Sequence, residues 1–192
     1  MSGTKKGKLF ITLGIIAVAI ILIIALFAGN YNSMVSYQST VQEKQSAVQA
    51  QLQRRSELIP NLENAARGYA KHEESVYTSI SDARSKLAGA KTVNELDEAN
   101  TELSSAVSRL LAVVENYPEL KSNQNFINLQ DELAGTENRI AQARKDYNNA
   151  AKEYNVKIKR FPANVFAGIF GFESVDYFEA DAGAERVPEV KF

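Results

Sequence analysis

The chain of 192 residues has no cysteine, no tryptophan, one histidine and four prolines. Each scarcity removes a class of chemistry. Without cysteine there are no disulfides and no thiolate metal ligands, a composition that suits an oxidising envelope compartment. The lone histidine, His72, opens like a zincin helix with Glu73 beside it, but the second ligand position holds Val76. A carboxylate-bridged di-iron bundle needs two Glu-x-x-His pairs, and Tyr69 stands three places before His72. No G-x-S-x-G, Walker A or G-x-G-x-x-G pattern occurs, so no nucleophile or phosphate loop stands out. These gaps predict no catalytic residues, no metal and no cofactor.

What is present is a run of 20 uncharged residues, Leu9 to Ala28, reading LFITLGIIAVAIILIIALFA. As a helix it is about 30 Å long, the thickness of a bilayer's hydrocarbon core. A helix also satisfies its own backbone hydrogen bonds in lipid. Leu9, Phe10, Ile15, Ile16, Ile20, Leu22, Ile23, Leu26 and Phe27 are the expected anchor residues. The alternative is a cleaved signal peptide. The run is longer than the ~7–15 residues of such a segment, and Leu26 sits where cleavage wants a small side chain. Lys5, Lys6 and Lys8 precede the run, and no further Lys or Arg follows until Lys44. The positive-inside rule then places residues 1–8 in the cytoplasm and the body outside. Without those three lysines the chain keeps 19 basic residues against 23 acidic ones, a net charge of −4. That is no footprint for nucleic acid.

After the anchor, apolar residues recur at alternating three and four, the spacing of packed helices. One seam runs from Val48 and Leu52 through Ile59, Leu62, Ala66, Tyr69, Glu73 and Val76 to Ile80, Ala83 and Leu87. A second runs Leu96, Asn100, Leu103, Val107, Leu110, Val114, Tyr117. A third runs from Phe126 through Leu133, Thr136, Ile140, Tyr147 and Tyr154 to Phe161. The fold class is therefore all-α, with a transmembrane helix followed by an antiparallel bundle or coiled coil of long helices over 29–161. Residues 162–192 then form a short apolar helix and an extended tail. Gly89, the capping box Thr92-Val-Asn-Glu95, Pro118, and Ser122 or Asn123 mark the internal boundaries. Pro60 leaves two architectures. If it only kinks a helix running from about Asn32 to Ala88, the bundle has three long helices. If the chain reverses there, it has four in up-and-down order. The unbroken phase favours the kink.

Polar residues on the seams are informative. Arg55, Glu73 and Asn100 occupy apolar positions, where such residues pair and fix register, or else meet solvent. Arg54, Arg55, Glu57, Pro60 and Asn61 make a dense kink or interaction motif, in which an arginine pairs with Glu57 or with a neighbouring helix. The segment FPANVFAGIFGF crowds Phe161, Val165, Phe166, Ile169, Phe170 and Phe172. A helix this short needs burial to hold. It caps the bundle, joins subunits or touches the membrane. Small residues Ala47, Ala50, Ala65 and Ala66 beside the seams offer close packing to a second copy.

Several segments together resemble the bacterial LemA family. They include Tyr31-Asn32, Leu52-Gln-Arg-Arg-Ser-Glu-Leu-Ile-Pro-Asn-Leu62, Gly68-Tyr-Ala-Lys-His-Glu73, Ala83-Arg84, Glu115-Asn-Tyr-Pro-Glu-Leu-Lys121, Thr136-Glu-Asn-Arg-Ile140, Tyr147-Asn148, Tyr154-Asn155 and Phe161-Pro-Ala-Asn164. They occur in order over nearly the whole body. Glu63 and Ala66 depart from that family's usual valine and lysine. The resemblance implies a membrane helix with a helical-bundle domain and supplies no catalytic set. It also implies links to envelope signalling, membrane organisation and membrane metalloproteases. The expectation is a non-enzymatic scaffold that contacts membrane lipid and self-associates through its helical body. Its alternative is an adaptor or regulator of another membrane protein, a protease or a sensor.

Overall fold

The structure, a computed structural model, describes residues 3–70 and 72–179, with side chains from residue 13. Among them are six helices and no strand: α1 (Gly3–Arg67), α2 (Glu74–Gly89), α3 (Val93–Val114), α4 (Pro118–Lys121), α5 (Gln124–Lys159) and α6 (Ala163–Phe170). An extended stretch follows to Glu179. The rest of the expected tail lies outside the described residues.

Two compact units divide the chain, each built from separate pieces. The anchor unit takes α1 as far as Val41 together with Lys152–Val175. The body unit takes Gln42–Ala151 together with the stretch from Asp176 on.

Inside the body unit the three-four spacing becomes the core. Val48, Leu52, Ile59, Leu62 and Ala66 are buried from α1, and Tyr77, Ile80, Ala83 and Leu87 from α2. Leu96, Leu103, Val107, Leu110 and Val114 come from α3, and Phe126, Leu133, Ile140 and Tyr147 from α5. Each large side chain among these contributes about 1.5–3 kcal/mol by leaving water. Thr136 on the α5 seam is fully buried, and its hydroxyl donates to the Leu133 carbonyl at 2.6 Å.

Pro60 does not mark the first turn of the chain. α1 runs past Pro60 and ends at Arg67, and α2 begins at Glu74. This corrects the expectation of one helix to Ala88, and also the alternative of a reversal in the proline motif. Gly68 is a poor helix former, and Ala70 donates back to the Ala66 carbonyl at 2.9 Å. The Tyr77 hydroxyl then donates to the Ala70 carbonyl at 3.0 Å, and the Arg67 guanidinium lies 3.9 Å from the Tyr77 ring centroid. Tyr69 and Glu73 accordingly leave the core: Tyr69 is exposed and Glu73 half-buried just ahead of α2. The four long helical segments of the body are the end of α1, then α2, α3 and most of α5.

The helix starts follow their sequence signals. The Thr92 hydroxyl accepts from the Glu95 amide at 3.2 Å, while the Glu95 carboxylate accepts from the amides of Lys91 (2.7 Å) and Thr92 (3.0 Å). Those amides, Lys91 first, hold the Glu95 carboxyl below its ordinary pKa. Asn123, not Ser122, caps α5, its side-chain oxygen accepting from the amides of Asn125 and Phe126 at 3.0 and 3.2 Å. Gly171 ends α6 with φ +73°, a left-handed conformation that glycine adopts without strain.

Candidate functional site

The proline motif lies in the body unit. Proline has no amide hydrogen, so the carbonyl four residues earlier loses its helical donor. For Pro60 that carbonyl belongs to Ser56, and Arg84 of α2 donates its Nε to it at 3.2 Å. The arginine replaces the missing N–H and ties α2 to α1 at the same time. Sequence reasoning missed this role, although the orphaned carbonyl follows from Pro60 alone.

Arg55 is 4% exposed. Its Nη1 donates to the Asn100 side-chain oxygen at 2.8 Å and to the Ser104 hydroxyl at 3.1 Å, and pairs with Glu137 at 2.7 Å. One cation thus joins α1, α3 and α5. Two of the three polar seam residues, Arg55 and Asn100, meet each other. Arg54 pairs with Glu132 at 3.2 Å on the surface, where such bonds contribute little. Glu57 accepts from Gln53 at 2.8 Å and meets neither arginine among the described contacts. Asn61 is exposed. Of the small residues, Ala66 is fully buried and Ala65 half-buried, whereas Ala47 and Ala50 are exposed.

The extended stretch is fastened by side-chain amides. In the body unit Asn148 both donates to the Phe178 carbonyl and accepts from its amide, each at 2.9 Å. The Tyr147 hydroxyl donates to the Asp176 carbonyl at 3.0 Å. Arg144 pairs with Asp97 and donates to the Glu179 carbonyl. The Phe178 ring is buried, edge-on to Tyr147 at 5.1 Å. Burial, with the Asp176 charge second, pushes the Tyr147 hydroxyl up to about 12. In the anchor unit Asn155 holds Val175 by the same two-way bond, again at 2.9 Å each way.

The anchor unit carries the apolar run. Ile15, Ile16, Ile20, Leu22, Ile23 and Leu26 are all exposed along α1, and Phe27 is just exposed. The side chains of Leu9 and Phe10 lie outside the described residues. α1 is long and apolar enough here to cross a membrane. Below it α6 packs on the end of the run. Phe27 meets Phe166 edge-on at 4.5 Å and Phe170 at 6.5 Å, and Tyr31 meets Phe170 at 5.0 Å and Phe172 at 5.8 Å. Such pairs are each worth about 0.5–1.5 kcal/mol beyond area burial. The six apolar residues of this segment therefore divide. Phe166, Phe170 and Phe172 touch the anchor's rings, Phe170 keeping an exposed edge, while Phe161 (84%), Val165 (52%) and Ile169 (61%) make no ring contact among the described residues and stay exposed. His72 is exposed in the α1–α2 connection. Among the described residues no three His, Cys, Asp or Glu side chains are grouped to hold a metal.

A membrane-length helix, a helical body and a clamped tail thus stand on one chain, and the LemA family model matches residues 44–192. The chain belongs to the LemA family. Among its relatives, Magnetosome protein MamQ 1 of Paramagnetospirillum magneticum is 28% identical, covering 91% of this chain and 74% of that protein. Magnetosome protein MamQ of Magnetospirillum gryphiswaldense is also 28% identical, over 93% and 75%. Protein LemA of Metamycoplasma hominis is 26% identical, over 84% and 74%. The LemA match takes in Arg55, Pro60, Arg84, Asn148 and Asn155, the residues that brace the proline helix and hold the tail.

Proposed function

We propose that this LemA-family chain is a non-enzymatic scaffold, held by one helix in a bacterial inner membrane, that self-associates and organises lipid or other membrane proteins. The observation that carries this reading is the apolar run, whose residues are exposed from Leu13 to Leu26. Such a surface is stable in lipid and costly in water. The orientation follows the lysine bias, with residues 1–8 cytoplasmic and the body outside. The names of the relatives, LemA and magnetosome proteins, denote no reaction, which accords with a non-catalytic role.

Self-association was expected through the body, but the body's seams are filled by its own helices. Its exposed large apolar side chains among the described residues are Tyr69 and Tyr177. The anchor supplies a better face. Ala25 and Gly29 are four residues apart, and a Cβ added at Gly29 would meet nothing within 4 Å. Small residues at this spacing let membrane helices approach closely.

The test is the mass of the full chain in native lipid particles. A discrete multiple of 21.2 kDa supports the scaffold. A monomeric mass in lipid particles and in several mild detergents refutes self-association. A monomer recovered with a stoichiometric membrane protease or sensor points to the adaptor instead. Impermeant protease on spheroplasts checks orientation, and full protection of the body refutes it.

A further inference from the structure

We propose that α6 is an interfacial helix, lying in the membrane surface with Phe161, Val165 and Ile169 inserted among the lipids beside the end of the anchor. This rests on the reading that α1 crosses the bilayer. Depth comes first. α6 does not touch the anchor at random but at Phe27 and Tyr31, where the apolar run gives way to Asn30 and Asn32. That is the level of the headgroup boundary, where aromatic side chains are favoured.

Orientation comes second. The helix turns Ala163, Phe166 and Ala167 inward, Ala163 and Ala167 being buried. Its opposite face is apolar too, which is unfavourable for a surface helix in water. Lys157, Lys159 and Arg160 immediately precede it, placing cations where lipid phosphates would lie. With its inner face on the anchor and cations beside it, α6 can bury its outer apolar face about 5–10 Å into the headgroup and acyl boundary, the depth at which interfacial helices lie.

Continuity comes third. An open apolar groove of about 490 Å³ runs along Ile23, Ile24, Phe27, Ala28, Tyr31 and Phe170, joining the anchor's flank to α6. An acyl chain of the surrounding leaflet fills such a groove without specific complementarity. A protein partner asks for more. A stable interface buries about 1,200–2,000 Å² in total, whereas three side chains offer on the order of a few hundred.

The absence of tryptophan makes the test direct. Single-tryptophan variants Phe161→Trp, Ile169→Trp, Ile20→Trp and Ser108→Trp of the full chain are placed in phosphatidylcholine–phosphatidylglycerol vesicles. Bromines are carried either near the carbonyls or near the chain ends of the lipid. Far-UV circular dichroism checks that each variant keeps its helix content. The proposal expects tryptophan at 161 and 169 to lose most of its emission to the shallow bromines. It expects the position-20 reporter to respond to the deep ones and the position-108 reporter to neither. Red-shifted, iodide-quenched emission at 161 and 169, with the position-20 reporter still quenched by lipid, overturns the proposal alone. Emission at 161 and 169 shielded from both bromine and iodide overturns it in favour of a second copy. An unquenched reporter at position 20 overturns both this proposal and the membrane anchor.

Discussion

Replacing Arg84 by leucine should destabilise the body, and the amount should depend on a residue that is neither charged nor adjacent in sequence, Pro60. Arg84 donates to the Ser56 carbonyl at 3.2 Å because proline at 60 has no amide to give. A hydrogen bond from a charged donor contributes about 1.5–3 kcal/mol. The length of this one and the partial exposure of both residues bring the expected loss in Arg84→Leu to about 1–1.5 kcal/mol. Pro60→Ala restores an amide at position 60. It gains about 3 kcal/mol of helix propensity and gives back about 0.4–1 through a freer unfolded chain. The single alanine variant should therefore be more stable than the parent by roughly 2–2.6 kcal/mol. In that background Ser56 has a helical donor, and Arg84→Leu should cost no more than about 0.5 kcal/mol. The coupling energy of the cycle is then about 1 kcal/mol. Urea unfolding of the full chain in one mild detergent, followed by far-UV circular dichroism, reads all four corners. Equal cost of Arg84→Leu with proline and with alanine at 60 would falsify the replacement of a missing amide by an arginine.

Arg55→Met should lower stability by about 2–3 kcal/mol, because it leaves the buried Asn100 oxygen without its donor, whereas Arg55→Met with Asn100→Leu should cost less than the sum of the two single changes; additive urea midpoints would sink this. Tyr147 holds its proton to about 12 in the folded chain, against about 10 when unfolded. Above pH 10 the unfolded state releases this proton first, so stability falls from pH 10 towards pH 12, and less steeply in Tyr147→Phe. Identical urea midpoints for parent and variant across that range would disprove the assignment. Asn148→Leu removes both bonds to Phe178 and should speed chymotrypsin cleavage at Tyr177 and Phe178; an unchanged cleavage rate would show that the amide clamp is not what holds the tail.

The parts legible in the sequence were those with a periodic or local signal. Leu9–Ala28 declares its length and lack of charge. Ile80, Ala83 and Leu87 were placed correctly, as were the two halves of the Thr92–Glu95 box and the stop at Gly171. Arg55 and Asn100 stood out as polar residues at apolar positions, and the structure pairs them. The break between Arg67 and Glu74 is hidden because helical phase is recovered by Ile80, so spacing alone crosses it. The division of the apolar segment into Phe166, Phe170 and Phe172 against Phe161, Val165 and Ile169 depends on which neighbour it meets. The Asn148 and Asn155 clamps join residues 20–30 apart in sequence through side-chain amides. No repeat announces such bonds.

The anchor unit is made of two pieces, with residues 42–151 between them. During synthesis at about 5–20 residues per second, the membrane segment is made roughly 5–20 s before the strand of chain that completes its unit. The interval is filled by the making of the body. Phe27 and Tyr31 thus stay without their α6 partners until α5 has been made and α6 follows. Closure of the aromatic contact then becomes a report that the intervening body has been synthesised.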